Sequence, residues 1–479
     1  MQNTAFCPSA ERMIRFFEEI SRVPRRFYLT EPIADYLCNF AKERGLSYLR
    51  DEYDNVIIKK QKSKDCTATE AVILQAHTDM VLAKRCPECN SFDTEGVSLL
   101  YDGDFIRAKD SSLGADDGIG LAYILAILDD DTLIHPEIEA VLTSNEEVGL
   151  LGAAALDCSA LFGRMLINLD SDEEGIFTAG CAGGSNFTLS LPLDLKKTLP
   201  CRTLTLRGLP GGHSGVEIHK NIANATLLLS EALKALSEDA PLLLAKIDGG
   251  EASNAIPTFA SASFFSKKSA DEILKICNTL LAGYNENVGD GAFTLEDGGA
   301  LPCLEKEKST ELFDFLLSLP RGILSMENPP LELPRTSLNL GKTRTADGEL
   351  TLYYALRSSV DGERVTLENR MTEQAKSIQA SVTVDGVYPA WSYRESSPLR
   401  DACLKTYRRL YDKDATVTVI HAGLECGILG ARIHGLDAIS FGPDIKDIHT
   451  VDERLSVSSA KEVYRYLCEL IATLASKKD

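Results

Sequence analysis

Over the first 185 residues the apolar positions fall into two alternating kinds of run. AVILQA (71–76), IEAVLT (138–143) and MLINL (165–169) are short and continuously apolar, the pattern of central strands buried on both faces. Between the first two, DGIGLAYILAIL (117–128) has helical periodicity and an acidic start, where the helix dipole favours negative charge. Near the N-terminus Met13, Ile14, Phe16, Phe17 and Ile20 share one helical face. Towards the C-terminus ATVTVI and LDAISF predict two more strands, and KEVYRYLCELIATLASKK predicts a closing amphipathic helix. Strands alternating with helices indicate α/β layers.

The middle of the chain has a different order. From about 200 to 298, CRTLTLRG reads as strand, NIANATLLLSEALKAL as helix, and LLLAKID and AIPTFASASFFS as strands. DEILKICNTLLAGYN then reads as helix and GAFTLE as strand. This β-α-β-β-α-β sequence is the ferredoxin-like plan. A weaker second run follows, with ELFDFLLSL and RVTLENRMTEQAKSIQA as helices and TSLNLGKT, ELTLYYALRSS and SVTVDG as strands. It is compatible with a duplicated α+β unit. The expected organisation is an α/β domain split into 1–185 and 400–479, with an α+β domain of 186–399 inserted. No low-complexity segment or flexible Gly/Ser linker interrupts it.

Composition narrows the function classes. With 479 residues, 44% hydrophobic, and 50 basic against 71 acidic side chains, the chain is long enough for several cores and too apolar for a disordered protein. A net charge of −21 argues against nucleic acid and against an anionic membrane surface as partners. No run approaches the roughly 18 apolar residues of a membrane span, and the N-terminus lacks a secretory pattern. Thirteen cysteines, an odd number, read as reduced thiols, so a cytoplasmic location is expected. Cys86 and Cys89 form a lone C-x-x-C, read as incidental.

Chemistry gathers at strand ends. The chain has seven histidines, and His77 with Asp79 directly follows the AVILQA run. Asp116 stands in LGADDGIG before the helix, Glu146 and Glu147 follow IEAVLT, Asp170 ends MLINL, and His449 lies in DIHTVDE after AISF. In an open α/β sheet, ligands bind at such carboxyl edges. Imidazole nitrogens and carboxylate oxygens suit Zn²⁺, and two ions about 3.5–4 Å apart can share a carboxylate. Two histidines and three carboxylates suffice for a pair, with Glu146 placed to take a water's proton and Asp79 to orient the His77 ring. Taken singly, each string has a bland reading: a polar contact, a solvated charge pair, or a turn opening a helix.

HTDM, GADDGIG, TSNEEVG, LINLDSDEEG and DIHTVDE, in this order, resemble the di-zinc metallopeptidase superfamily of carboxypeptidase-, aminoacylase- and dipeptidase-type enzymes. GCAGG, GLPGGHSGVEIH, NAIP and HAGLECG are similar to its aminoacyl-histidine dipeptidase branch, which cleaves Xaa-His dipeptides, carnosine-like β-Ala-His included. The resemblance implies a zinc-peptidase-like catalytic domain, with a mixed central sheet and flanking helices, carrying a ferredoxin-like lid. It implies that Asp116 bridges two Zn²⁺ ions, with Mn²⁺ or Co²⁺ as substitutes. His77 and Asp170 would complete one site, Glu147 and His449 the other. Glu146 would be the general base and Asp79 the orienter of the His77 ring. In the lid, His213 would stabilise the oxyanion, Asn254 contact the substrate and Arg357 receive its carboxylate, with His421 and Glu425 on a loop lining the pocket. Asp117 stands where this branch often has asparagine; pointed into the cluster it would add charge, and otherwise it is a first-turn acid.

The expected reaction is hydrolysis of a small dipeptide by a monomer or homodimer, with lid closure about hinges near 186 and 399. An aminoacylase or other amidohydrolase would share the same ligands and differ in the lid pocket. A non-catalytic metal-binding protein would be expected to lack the general base, and Glu146 is present. His213 between glycines also suits a turn, and Arg357 an exposed ion pair; His135, His219 and His434 read as structural.

Overall fold

The structure is a computed structural model that describes residues 8–86, 88, 91–327 and 333–476. Cys89 of the C-x-x-C lies outside the described residues, and Cys86 is exposed. The chain forms two compact units: one from the chain up to Cys181, Trp391–Val419 and Leu424 onward, the other from Ala182–Ala390 with Ile420–Gly423. The boundaries expected at 186 and 399 fall within strand Gly183–Pro192 and next to the start of helix Pro398–Tyr411. No helix among the described residues is long and apolar enough to cross a membrane.

The first unit is built on an eight-stranded mixed sheet. Its order is Ser47–Arg50, Val56–Lys60, Ile138–Thr143, Val72–His77, Met165–Asn168, Asp437–Ser440, Ile176–Cys181 and Thr416–Ile420. The four strands from Ile138–Thr143 to Asp437–Ser440 run parallel, so their carboxyl ends open on one edge. The continuous apolar runs are these strands, buried along their whole length in Val72–His77 and Ile138–Thr143. Helix Ala115–Leu128 lies between the sheet and helices Pro8–Ser21 and Val457–Leu474. Beyond Asp117 its side chains are apolar all round because it is enclosed on every side, whereas its two neighbours keep one polar face to solvent.

A small four-stranded sheet, which the sequence pattern did not suggest, pairs Leu99–Asp102, Phe105–Ala108, Arg454–Ser456 and Ile445–Lys446. Arg454 stands opposite Arg107, which brings the loop carrying His449 to the same place as the loop leading to Asp116.

The second unit has a nine-stranded antiparallel sheet. Its first half orders the strands Ala292–Cys303, Lys197–Arg207, Ala260–Ser266 and Leu242–Gly249, with helices Ala225–Asp239 and Ala270–Ala282. In chain order that is 4-1-3-2, the ferredoxin-like arrangement. The second half repeats it in mirror sequence: Pro334–Ala346, Glu349–Ser358, Gly183–Pro192 and Ser381–Tyr388, with helices Lys306–Ser318 and Asp361–Ser377. The halves join where Gly249 meets Thr343, and Gly322–Met326 pairs beside Pro334–Ala346. The fold is therefore duplicated, with the first copy inserted between the first strand and first helix of the second. That first strand, Gly183–Pro192, escaped the sequence reading although Phe187 and Leu189 alternate inward. AIPTFASASFFS is two strands, broken at Pro257, which has no N–H to give to a ladder.

Candidate functional site

Three of the parallel strands end in the expected side chains. His77 is the last residue of Val72–His77, the Asn145–Glu147 turn follows Ile138–Thr143, and Asp170 lies two residues beyond Met165–Asn168. Asn145 takes the left-handed conformation that asparagine tolerates, with φ of +50°, and its Oδ1 accepts the Tyr28 amide at 2.7 Å. Asp79 holds the turn from the other side: its two oxygens accept the amides of Glu146 and Glu147 at 3.0 and 3.3 Å.

Asp116 sits between the two histidines. Its Oδ1 lies 2.9 Å from His77 Nε2, and its Oδ2 lies 3.2 Å from His449 Nε2. His449 Nε2 is 3.0 Å from Glu147 Oε1, and His77 Nε2 is 3.8 Å from Asp170 Oδ1. Two triplets of ligand atoms result, His77–Asp116–Asp170 and Asp116–Glu147–His449, each within 4.8 Å and sharing Asp116. A third, His77–Glu146–Glu147, overlaps them. The opposite ring nitrogen, His77 Nδ1, is 3.1 Å from the main-chain carbonyl of Asp79 and 3.7 Å from its carboxylate. The carbonyl is thus the nearer acceptor that fixes the ring, and the carboxylate serves mainly the Glu146–Glu147 turn.

The cluster holds more negative charge than it can balance alone. Burial drives the carboxyls of Glu146 and Asp170 well upward, and neighbouring carboxylates add to the rise. Burial would lower both histidines, but hydrogen bonds to Asp116 raise them, His77 well above its ordinary range and His449 to about 11. Asp116, although buried, is held well below the usual carboxylate range by the two imidazoles. Carboxylates that retain protons and imidazoles that attract them mark a site short of positive charge. Nitrogen and oxygen donors without a thiolate suit Zn²⁺, Mn²⁺ or Co²⁺. The residues present therefore fit divalent cations.

Two acidic neighbours of the cluster are buried beside it. Asp117 is an acid of the helix first turn: it is buried, its Oδ1 accepts the Gly120 amide at 3.1 Å, and burial raises its pKa well above the usual range. Glu425, expected on a loop lining the pocket, is fully buried. Its Oε2 accepts from Thr143 Oγ1 at 2.6 Å and from Gln75 Nε2, and Asn168 Nδ2 donates to Gln75 Oε1. This polar layer lies in the sheet beside His77, where Thr143 stands directly opposite His77. Burial pushes the Glu425 carboxyl up to about 7. Gln75 and Thr143 were invisible in the sequence because they sit within runs read as apolar strand.

The second unit has its own cluster. His213 and Ala255 pair on a two-stranded ribbon, and the amide of Ser214 donates to the carbonyl of Asn254 at 2.8 Å. His213 Nδ1 accepts the amides of Gly215 and Val216, both at 3.2 Å, and its Nε2 faces Arg357. Arg357 is only 9% exposed, donates from Nη1 to Tyr388 Oη at 2.9 Å, and makes no ion pair among the described residues. His421 Nε2 lies 2.7 Å from Ser337 Oγ; burial lowers its pKa to about 4, and the charge of Arg357 adds to this. Tyr388 and Ser337 had no sequence signal of their own.

The pattern of peptidase family M20/M25/M40 matches residues 73–473. The cytosol non-specific dipeptidase of Escherichia coli (strain K12) is 34% identical over 474 residues, 96% of this chain and 97% of that protein. The crystal structure of aminoacylhistidine dipeptidase from Vibrio alginolyticus is similar with a TM-score of 0.82 at 29% identity, covering 98% of each chain. A tripeptidase from Staphylococcus aureus shares the fold with a TM-score of 0.58 at 17% identity, over 97% of this chain and 98% of that one.

Proposed function

The chain belongs to peptidase family M20/M25/M40, a metallopeptidase family, and from that premise we propose that it hydrolyses dipeptides, Xaa-His dipeptides of the carnosine type among them, in the cytoplasm. The observation that carries this reading is the pair of donor triplets sharing Asp116. His77, Asp116 and Asp170 would hold one cation, and Asp116, Glu147 and His449 the other. Zn²⁺ is the ion these donors suit best, with Mn²⁺ or Co²⁺ as substitutes. Bound divalent cations supply the Lewis acidity that polarises a carbonyl and acidifies water.

The chain's own residues do the rest. Glu146, on the turn that Asp79 holds, takes the proton of the attacking water and returns it to the leaving amine. His213 donates from Nε2 to the oxyanion that forms on the scissile carbonyl. Arg357, positioned by Tyr388, receives the substrate's carboxylate. Asn254 and the neutral His421 are assigned to contacts with the substrate, and the insertion of residues 182–390 is assigned the role of lid. The names of the Escherichia coli and Vibrio alginolyticus relatives support a dipeptide substrate.

The test is chelated protein reloaded with Zn²⁺, Mn²⁺ or Co²⁺ and offered Xaa-His dipeptides, other dipeptides, tripeptides and N-acyl amino acids. Metal-dependent cleavage of dipeptides, Xaa-His included, is the expected result. Preference for N-acyl amino acids would overturn the dipeptidase reading, and activity indifferent to chelation would overturn the cation reading.

A further inference from the structure

Asp116 belongs to both donor triplets, and its placement depends on residues far away in the chain. The helix it opens has no side-chain cap of its own, because Gly114 occupies the N-cap position with φ of +70°. A helix start leaves its first amides without partners. Here they are met by Glu453, which is buried at 2% exposure. Its Oε2 accepts the Leu113 and Gly114 amides at 2.7 and 2.8 Å, and its Oε1 accepts those of Ala115 and Asp116 at 2.8 and 3.4 Å. One carboxylate thus gathers four successive N–H groups, an anion-binding nest filled from within the protein.

Arg25 acts on the same loop from the carbonyl side. Its buried guanidinium donates through Nη1 to the carbonyls of Thr78 and Asp79, both at 3.2 Å, and through Nη2 to the carbonyl of Gly114. Gly114 therefore has its carbonyl on a cation and its amide on an anion. Only glycine fits there: a Cβ would lie 2.6 Å from Met80 Sδ and 2.7 Å from Arg25 Nη2. Glu453 is four residues beyond His449, between strands Ile445–Lys446 and Arg454–Ser456. Arg25 grips the segment immediately after His77. Between them the two residues join the three loops that supply His77, Asp116 and His449.

We propose that Glu453 and Arg25 are positioning residues of the cation site, holding Asp116 between the two histidines with one carboxylate oxygen towards each imidazole. The proposal rests on the cation reading above. A capping role alone would cost stability and leave cation affinity unchanged; a positioning role changes affinity itself.

The experiment titrates metal-free protein with Co²⁺, following visible absorption and heat, for the wild type, Glu453→Gln, Arg25→Lys and the control Asp452→Asn, whose carboxylate pairs with exposed Arg85. The glutamine turns an amide N–H₂ towards amides that need an acceptor, and the lysine keeps the charge without the fork. Both variants are expected to bind Co²⁺ about 10–100-fold more weakly, with an altered spectrum and a lower kcat at little-changed KM. The control is expected to match the wild type. Wild-type affinity and spectrum in both variants would overturn the proposal. If Glu453→Gln does not fold, Arg25→Lys decides alone. A wild type that fails to take two ions would overturn the cation reading, and this proposal with it, before any variant is compared.

Discussion

The Nε2 atom of His213 lies 3.5 Å from the Nη2 atom of Arg357. Since Nδ1 of that ring accepts two backbone amides, the proton of the neutral imidazole resides on Nε2. Both facing nitrogens are then donors. Such a pair is satisfied together by a negatively charged oxygen presented to both.

Replacing Arg357 with lysine removes the planar fork and keeps the charge. KM for dipeptides should rise about 10–100-fold, the loss of a charge-assisted bond. Dipeptide amides, which lack the carboxylate, should be affected far less. Steady-state kinetics on the paired substrates checks this, and equal losses on both would remove Arg357 from carboxylate recognition.

For Glu146→Gln, kcat should fall about 10²–10⁴-fold, the usual worth of a general base. The five residues proposed to hold the cations are untouched, so two ions should still bind. Calorimetric metal titration beside kinetics makes the comparison. A wild-type rate in a variant that binds both ions would remove Glu146 from proton transfer.

Glu425 offers a test by pH. Its folded pKa, about 7, is raised from 4.5, so the native state binds the proton more tightly than the unfolded state. The associated stability is full below pH 4.5 and declines as pH rises through about 7. A tenfold difference in proton affinity between the two states is worth about 1.4 kcal/mol. Metal-free Glu425→Gln should therefore gain stability relative to wild type as pH rises from acid to neutral, by a few kcal/mol at most. Denaturant melts across that range read the difference, and parallel curves would contradict it.

Asp117 should tolerate asparagine. Burial favours its protonated form, and a neutral carboxyl has nearly the shape and polarity of an amide. Asp117→Asn should keep metal stoichiometry and hold kcat within about twofold, since surroundings and charge are conserved. A large loss of affinity would mean that the residue carries charge the cluster needs.

His77, Glu147 and Asp170 were legible in the sequence because each lies at or just beyond the end of an apolar run, and parallel strands bring such ends to one edge. Asp116 was legible from its acidic turn before a helix. His449 was less so: nothing in the local pattern shows that Arg454–Ser456 would pair with Phe105–Ala108 and carry that loop to Asp116. Arg25 and Glu453 lie beyond any periodicity argument, since their partners are main-chain atoms far off in sequence. The ferredoxin-like plan was readable from its inner copy. The outer copy was fainter because its opening strand, Gly183–Pro192, is separated from the rest of that copy by the inner copy's length of chain.

That nesting orders the events of synthesis. A chain emerging from its N-terminus makes His77, Asp116, Glu147 and Asp170 first, yet their sheet lacks the strands Thr416–Ile420 and Asp437–Ser440 until nearly the whole chain is made. The inner copy, complete at Cys303, has every strand it needs earliest; the copy around it closes at Tyr388; and the unit begun first is finished last. His449 is the last of the five clustered donor residues to leave the ribosome, so the sheet that carries the others stays two strands short through the synthesis of both copies of the insertion.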